Sequence, residues 1–98
     1  MKILAIEHES EGAAPEAFRP LLADEARCVW ELYQAGLVRE CYFQAERDCA
    51  VLVLECASPG DAAAVLARLP LVQAGLISFE IIPLRAYPGF ARLFSRMD

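Results

Sequence analysis

The stretch "LVRECYFQAERDCAVLVLEC", residues 37–56, decides the fold. Two runs rich in β-branched and aromatic residues flank the polar connection Ala45-Glu46-Arg47-Asp48. That pattern predicts a β-hairpin, with strands over "LVRECYFQ" and "CAVLVLEC". Within the second run, "VLVL" is apolar at four successive positions, so both faces of that strand are apolar. A sheet covered by helices on one side only should alternate apolar and polar residues instead.

Outward from the hairpin, "LLADEARCVWELYQAG" (21–36) reads as a helix closed by Gly36 just past its C-terminus. Before it lie a strand, "KILAIE" (Lys2 to Glu7), and a polar loop, "HESEGAAP", in which Pro15 suits a first helical turn. Pro20 restarts or kinks the helix that follows. Beyond the hairpin, "SPGDAAAVLARL" opens with Ser58 as N-cap, Pro59 at the first helical position and Asp61 at the third. Its apolar stripe is Ala62, Val65, Leu66 and Leu69, spaced i, i+3, i+4, i+7. Pro70 stops this helix, and "LISFEIIPLRA" (76–86) is the fourth strand. Residues 88–98 are a tail or arm whose Phe90, Leu93 and Phe94 suit contact with a neighbouring subunit.

The order β-α-β-β-α-β predicts a single α+β domain over residues 1–98, the ferredoxin-like arrangement with a four-stranded antiparallel sheet. Two helices cover one face of such a sheet. "ILAI" (3–6) and "VLVL" are apolar on both, so the second face needs an apolar occupant. A second copy packed sheet to sheet is the economical one, and a homodimer is expected.

Composition narrows the partners. Apolar residues make up 57% of the 98, which fits burial against another subunit. A net charge of −5 and scattered arginines provide no surface for a phosphate backbone, so nucleic acid is excluded as a partner. No apolar stretch approaches membrane-spanning length. "MKILAIEHESEG" has too short an apolar run for a signal peptide, so a cytoplasmic location and no membrane partner are expected. Cys28, Cys41, Cys49 and Cys56 form no CxxC and stand at no metal-ligand spacing from His8. They read as small buried apolar residues in a reducing cytosol, with no metal site.

Glu25 breaks the helical pattern. At 100° per residue it falls near the middle of the face formed by Leu21, Leu22, Cys28, Val29, Leu32 and Tyr33. A carboxylate there must be hydrogen-bonded, ion-paired or pointed into a cavity, because bare burial costs several kcal/mol. Desolvation would raise its pKa and fit it for proton transfer near neutrality. The alternative is a structural ion pair or a side chain reaching past the helix end. Arg39 shares the parity of Cys41 and Phe43; facing inward it could pair with Glu25 or hold an anionic ligand, and facing outward it is a strand-end arginine. Alternation sends Glu7 and His8 to opposite faces. His8 is either an acid–base group or a solvated strand end. Tyr42, Phe43, Trp30 and Tyr87 are aromatics for a cavity wall or for core packing. With Glu7 and His8, Tyr42, Phe43 and Tyr87 complete the candidate substrate-binding set. There is no nucleophile elbow, phosphate loop or dinucleotide fingerprint. An enzyme with this sequence would perform cofactor-free proton transfer on a small molecule.

From about Leu21 to Pro88 the chain resembles the muconolactone Δ-isomerase family. The elements that carry the likeness are Ala23-Asp24-Glu25, Gly36, Arg39 and Leu69-Pro70-Leu71, in that order and spacing. The resemblance implies a dimeric α+β barrel, assembly into larger rings such as a decamer, and a pocket between sheet and helices. It implies no cofactor and a small anionic substrate, an unsaturated lactone whose double bond is moved by removing and returning a proton. It makes Glu25 the acid–base group and Arg39 the anchor of the substrate carboxylate or of enolate-like charge. Leu37, Val72-Gln73-Ala74-Gly75 and Tyr87-Pro88 depart from the family pattern, at positions that would wall the pocket. A non-catalytic ligand-binding or structural oligomer of the same fold is the alternative, and a cofactor-free monooxygenase the third. What separates them is whether Glu25 opens into a cavity within reach of Arg39.

Overall fold

A computed structural model describes residues 1–94 of the chain; the last four residues of the expected arm lie outside the described ones. The elements are β1 (Lys2–Glu9), α1 (Pro15–Phe18), α2 (Leu22–Gln34), β2 (Val38–Gln44), β3 (Arg47–Glu55), α3 (Pro59–Leu66), α4 (Pro70–Gln73) and β4 (Ile77–Pro83). Short 3-10 turns cover Arg19–Leu21 and Pro88–Leu93. The four strands form one antiparallel sheet in the order β2-β3-β1-β4. This is the ferredoxin-like α+β fold that the order of elements predicts.

Local sequence accounts for the boundaries. Pro20 sits in the 3-10 turn that leads into α2, and Gly36 closes α2 with a φ of 80°. A left-handed residue there lets the chain reverse into β2 without a Cβ clash. Ser58 caps α3 by accepting the backbone N–H of Asp61 at 3.1 Å. The helix after Ser58 is shorter than the pattern suggests. It ends at Leu66, and Pro70 begins a new turn, α4, rather than only ending the old one. Proline is well suited to that first position, because its missing N–H would be unpaired there anyway. β4 stops at Pro83, three residues short of the expected end, although the Leu84 N–H still bonds the Lys2 carbonyl at 2.9 Å.

The core lies between the helices and one face of the sheet. Ile3 and Ala5 of β1, Leu52 and Leu54 of β3 and Val38 of β2 meet Leu32 of α2 and Ala62, Val65, Leu66 and Leu69. The opposite face carries Leu4 beside Val53 and Ile82, and Ile6 beside Val51. These side chains are half-exposed in the single chain. No helix among the described residues is long and apolar enough to cross a membrane.

Candidate active site

Between the Leu22–Tyr33 face of α2 and the strands β2 and β3 opens a cavity of about 1120 Å³. Phe18, Leu22, Val29 and Trp30 wall it on the helix side, and Phe43 and Leu52 on the sheet side. Trp30 and Tyr33 stack with ring centroids 5.8 Å apart. Mostly apolar walls with a few convergent polar groups are the usual build of a small-molecule site.

Glu25 opens into this cavity and is held in place. Leu71 is the second residue of α4, so its N–H has no acceptor within its own turn, and Leu69 at the N-cap offers no capping side chain. The Glu25 carboxylate supplies the acceptor, with Oε1 2.9 Å from the Leu71 nitrogen. Burial pushes the Glu25 pKa up; the Leu71 hydrogen bond opposes this, and the nearby Glu7 charge adds to it.

Glu7 is a second anchored carboxylate on the same cavity. The paired register of β1 and β3 ends at Ile6 and Val51, which leaves the Ala50 N–H without a β1 partner. Glu7 Oε1 accepts it at 3.0 Å, and the residue is only 7% exposed. Its pKa is likewise raised by burial, lowered in part by the Ala50 bond and raised again by Glu9. Two carboxylates thus share one cavity, each fixed by a backbone N–H and each biased toward its neutral form.

Arg39 reaches the cavity by a route that strand parity does not describe. Val38 pairs with Leu54 but Glu40 pairs with the next residue, Val53, so Arg39 is the extra residue of a bulge. The bulge resets the alternation: Val38 is buried inward, and Cys41 and Phe43 then face the cavity. Arg39 Nε donates to the Gly36 carbonyl at 2.7 Å. Among the described residues it forms no ion pair with Glu25, although both line the cavity.

The other candidates divide. Phe43 is a wall, and Tyr42 is at the rim, with its hydroxyl donating to Glu40 Oε1 at 2.7 Å. His8 and Tyr87 are not brought to this cavity. His8 points to the opposite face of the sheet, is exposed, and has Nε2 3.4 Å from Glu80 Oε1. Tyr87 packs edge-to-face on Phe90 beyond β4, with centroids 5.1 Å apart. Two thiols depart from the expectation of four buried ones: Cys28 is half-buried, and Cys41 is exposed and lines the cavity, because the bulge turns it to that side. All four cysteines are free. Glu7, Glu9 and Cys49 place three possible ligand atoms within 4.8 Å of one another, though Glu7 already holds Ala50 with one oxygen.

Sequence reasoning did not find the Leu71 N–H, Phe18 or Cys41. The signal for the first was present in Leu69-Pro70-Leu71, since a proline-initiated turn without a polar N-cap requires an acceptor from elsewhere.

Among solved structures, the chain matches muconolactone isomerase with a TM-score of 0.69 and 22% identity, over 90% of this chain and 92% of that one. The chain has the muconolactone isomerase fold. It also matches 5-chloro-2-hydroxyhydroquinone dehydrochlorinase from Burkholderia phenoliruptrix, in complex with 2,5-dihydroxybenzoquinone, with a TM-score of 0.68. There the identity is 13%, over 91% of this chain and 98% of that one. No protein-family model matches the sequence, and no curated protein does. The fold implied by the resemblance of residues 21–88 is therefore the muconolactone isomerase fold that the coordinates share.

Proposed function

We propose that this chain is a muconolactone isomerase-like enzyme that moves a double bond in a small unsaturated lactone, or a related anionic compound, by cofactor-free proton transfer. The observation that carries the reading is Glu25: a carboxylate fixed by the Leu71 N–H, with a raised pKa, facing a cavity of substrate size. In its ionised form Glu25 removes the γ-proton of the α,β-unsaturated lactone, from the ring carbon that bears the carboxymethyl group. The C–H electron pair moves through the double bond into a dienolate, and the same carboxyl group returns the proton at the carbon next to the carbonyl. A base whose pKa is lifted toward neutrality suits both half-steps. Arg39, at the cavity wall, is the group to hold the substrate carboxylate or the enolate charge. Burial, with a smaller contribution from the Glu7 charge, raises the Glu25 pKa and so strengthens the carboxylate as a base.

The same reading includes a homodimer. Leu4, Ile6, Val51, Val53 and Ile82 form an apolar face away from the helices, of the kind that a second sheet covers. Dehydrochlorination of a hydroxyquinol is also proton-transfer chemistry, in which a hydroxyl proton leaves, the chlorine-bearing carbon is protonated and chloride departs, so chlorinated hydroxyquinols belong in the substrate panel beside the lactones.

The test is turnover. Purified protein should convert muconolactone or a congener, and Glu25→Gln should abolish conversion while leaving the oligomer unchanged. Wild-type protein inert across the whole panel would overturn the enzymatic reading in favour of a ligand-binding or structural oligomer.

A further inference from the structure

The inward face of β1 changes character along its length. Ile3 and Ala5 are core residues, and the same alternation then presents Glu7 and Glu9. β3 is irregular at the same end of the sheet. Phe43 pairs with Ala50 but Gln44 pairs with Arg47, so Asp48 and Cys49 fall between two registers. There the Cys49 sulfur meets the two glutamates: one donor atom from each of Glu7, Glu9 and Cys49 lies within 4.8 Å of the others. Spacing along the chain does not show this group, because its members come from two strands.

The thiol is the member that points to a ligand. Cys49 is 8% exposed, and among the described residues its sulfur has no hydrogen-bond partner, whereas the Cys28 thiol donates to the Arg68 carbonyl at 3.7 Å. Glu7 is buried as well, and the Ala50 N–H occupies only one of its oxygens. Burial, and then the charges of Glu7 and Glu9, push the Cys49 thiol up. Two carboxylates and a thiolate at one point repel each other, and a divalent cation between them turns each repulsion into an attraction. The small cavity around them, of about 440 Å³, carries Glu7, Glu9 and Asp48 against Arg47, so its charge also favours a cation.

Donor chemistry selects the ion. One thiolate with two carboxylate oxygens suits zinc, whereas magnesium and calcium take oxygen ligands alone. A Zn–S bond of about 2.3 Å and Zn–O bonds of about 2.0–2.2 Å place the ligand atoms of one tetrahedral centre roughly 3.5 Å apart. The side chains therefore close by little more than about 1 Å to form it, an adjustment open to the exposed Glu9.

We propose that Glu7, Glu9 and Cys49 form a zinc site with three protein ligands and a water in the fourth position. Binding releases the thiol proton to solvent as the sulfur becomes a thiolate ligand. Glu7 and Glu9 also line the larger cavity, so the bound ion lies in its wall and offsets charge among its acids.

Metal titration tests this without turnover, so failure of the lactone chemistry would leave it intact. Untagged full-length protein is freed of metal with a chelator, kept reduced with a phosphine and titrated with cobalt(II), which reports a bound thiolate by sulfur-to-metal charge transfer in the near ultraviolet. The expected result is a band that saturates at one cobalt per chain and is removed by added zinc. It should persist in Cys41→Ser and vanish in Cys49→Ser. Because Cys49 is buried, the exposed Glu9 supplies a second variant: Glu9→Gln should weaken zinc binding, measured by calorimetry, at least about tenfold. No charge-transfer band with wild type, a band that survives Cys49→Ser or is lost in Cys41→Ser, or a zinc affinity unchanged in Glu9→Gln would overturn the proposal.

Discussion

Replacing Glu25 by glutamine and, separately, by leucine distinguishes its structural task from its chemical one. The carboxylate accepts the Leu71 N–H at 2.9 Å in a half-buried site, where no residue of α4 can replace it. Glutamine keeps an acceptor oxygen in the same place and removes the cost of a desolvated charge. Leucine fills the volume but leaves the Leu71 N–H unpaired, at a cost of roughly 1–3 kcal/mol. For a domain of this length each kcal/mol moves the midpoint by about 4–8 °C. Thermal unfolding followed by circular dichroism, at one protein concentration and pH 7, should therefore find Glu25→Gln at or above the wild-type Tm. Glu25→Leu should lie below Glu25→Gln by at least several degrees. Both should lack turnover. A leucine variant as stable as the glutamine variant would refute the capping of α4 by Glu25, and with it the mechanism that fixes the base.

Glu7 yields a pH dependence of definite sign. Burial raises its folded pKa above the ordinary value of 4.5, so the folded chain binds more protons than the unfolded chain between the two values, and stability falls as pH rises through that window. Glu7→Gln removes this loss, so its Tm advantage over wild type should grow from pH 4 to pH 8 in a calorimetric series; an advantage that shrinks would contradict the assignment. Gly36→Ala should lower stability by about 1–2 kcal/mol in urea titrations, because φ at this position is 80°. Val53→Lys places a charge in the middle of the open sheet face, and analytical ultracentrifugation should then find a folded monomer where wild type sediments as an oligomer.

Much of this architecture is legible in the sequence because it follows from short-range rules. The hairpin, the Ser58 cap, the Gly36 stop and the two-faced apolar strands each depend on residues within a few positions of one another. Glu25 was also legible, since a carboxylate in the middle of an apolar helical face must find a hydrogen-bond donor or a cavity, and it has both. Arg39 was legible only as a residue type. Its inward parity presumes an unbroken strand, whereas the bulge between Val38 and Glu40 makes it the extra residue and turns Cys41 and Phe43 to the cavity. The Leu71 N–H was hidden for a different reason: it is a backbone group 46 residues from its partner. Alternation correctly sends Glu7 and His8 to opposite faces. It does not say which face holds the cavity, and so it leaves open that Glu7 belongs to it and His8 does not.

Proton exchange tests the central claim most directly. Muconolactone or a congener incubated with the protein in D2O, and followed by proton NMR, reports removal of the proton on the ring carbon that bears the carboxymethyl group even when the double bond does not migrate. The account predicts deuterium incorporation with wild-type protein and none above background with Glu25→Gln at equal concentration and oligomeric state. Exchange that persists in Glu25→Gln would contradict the assignment of Glu25 as the base, and the absence of exchange with wild type across the panel would contradict proton-transfer catalysis in this cavity.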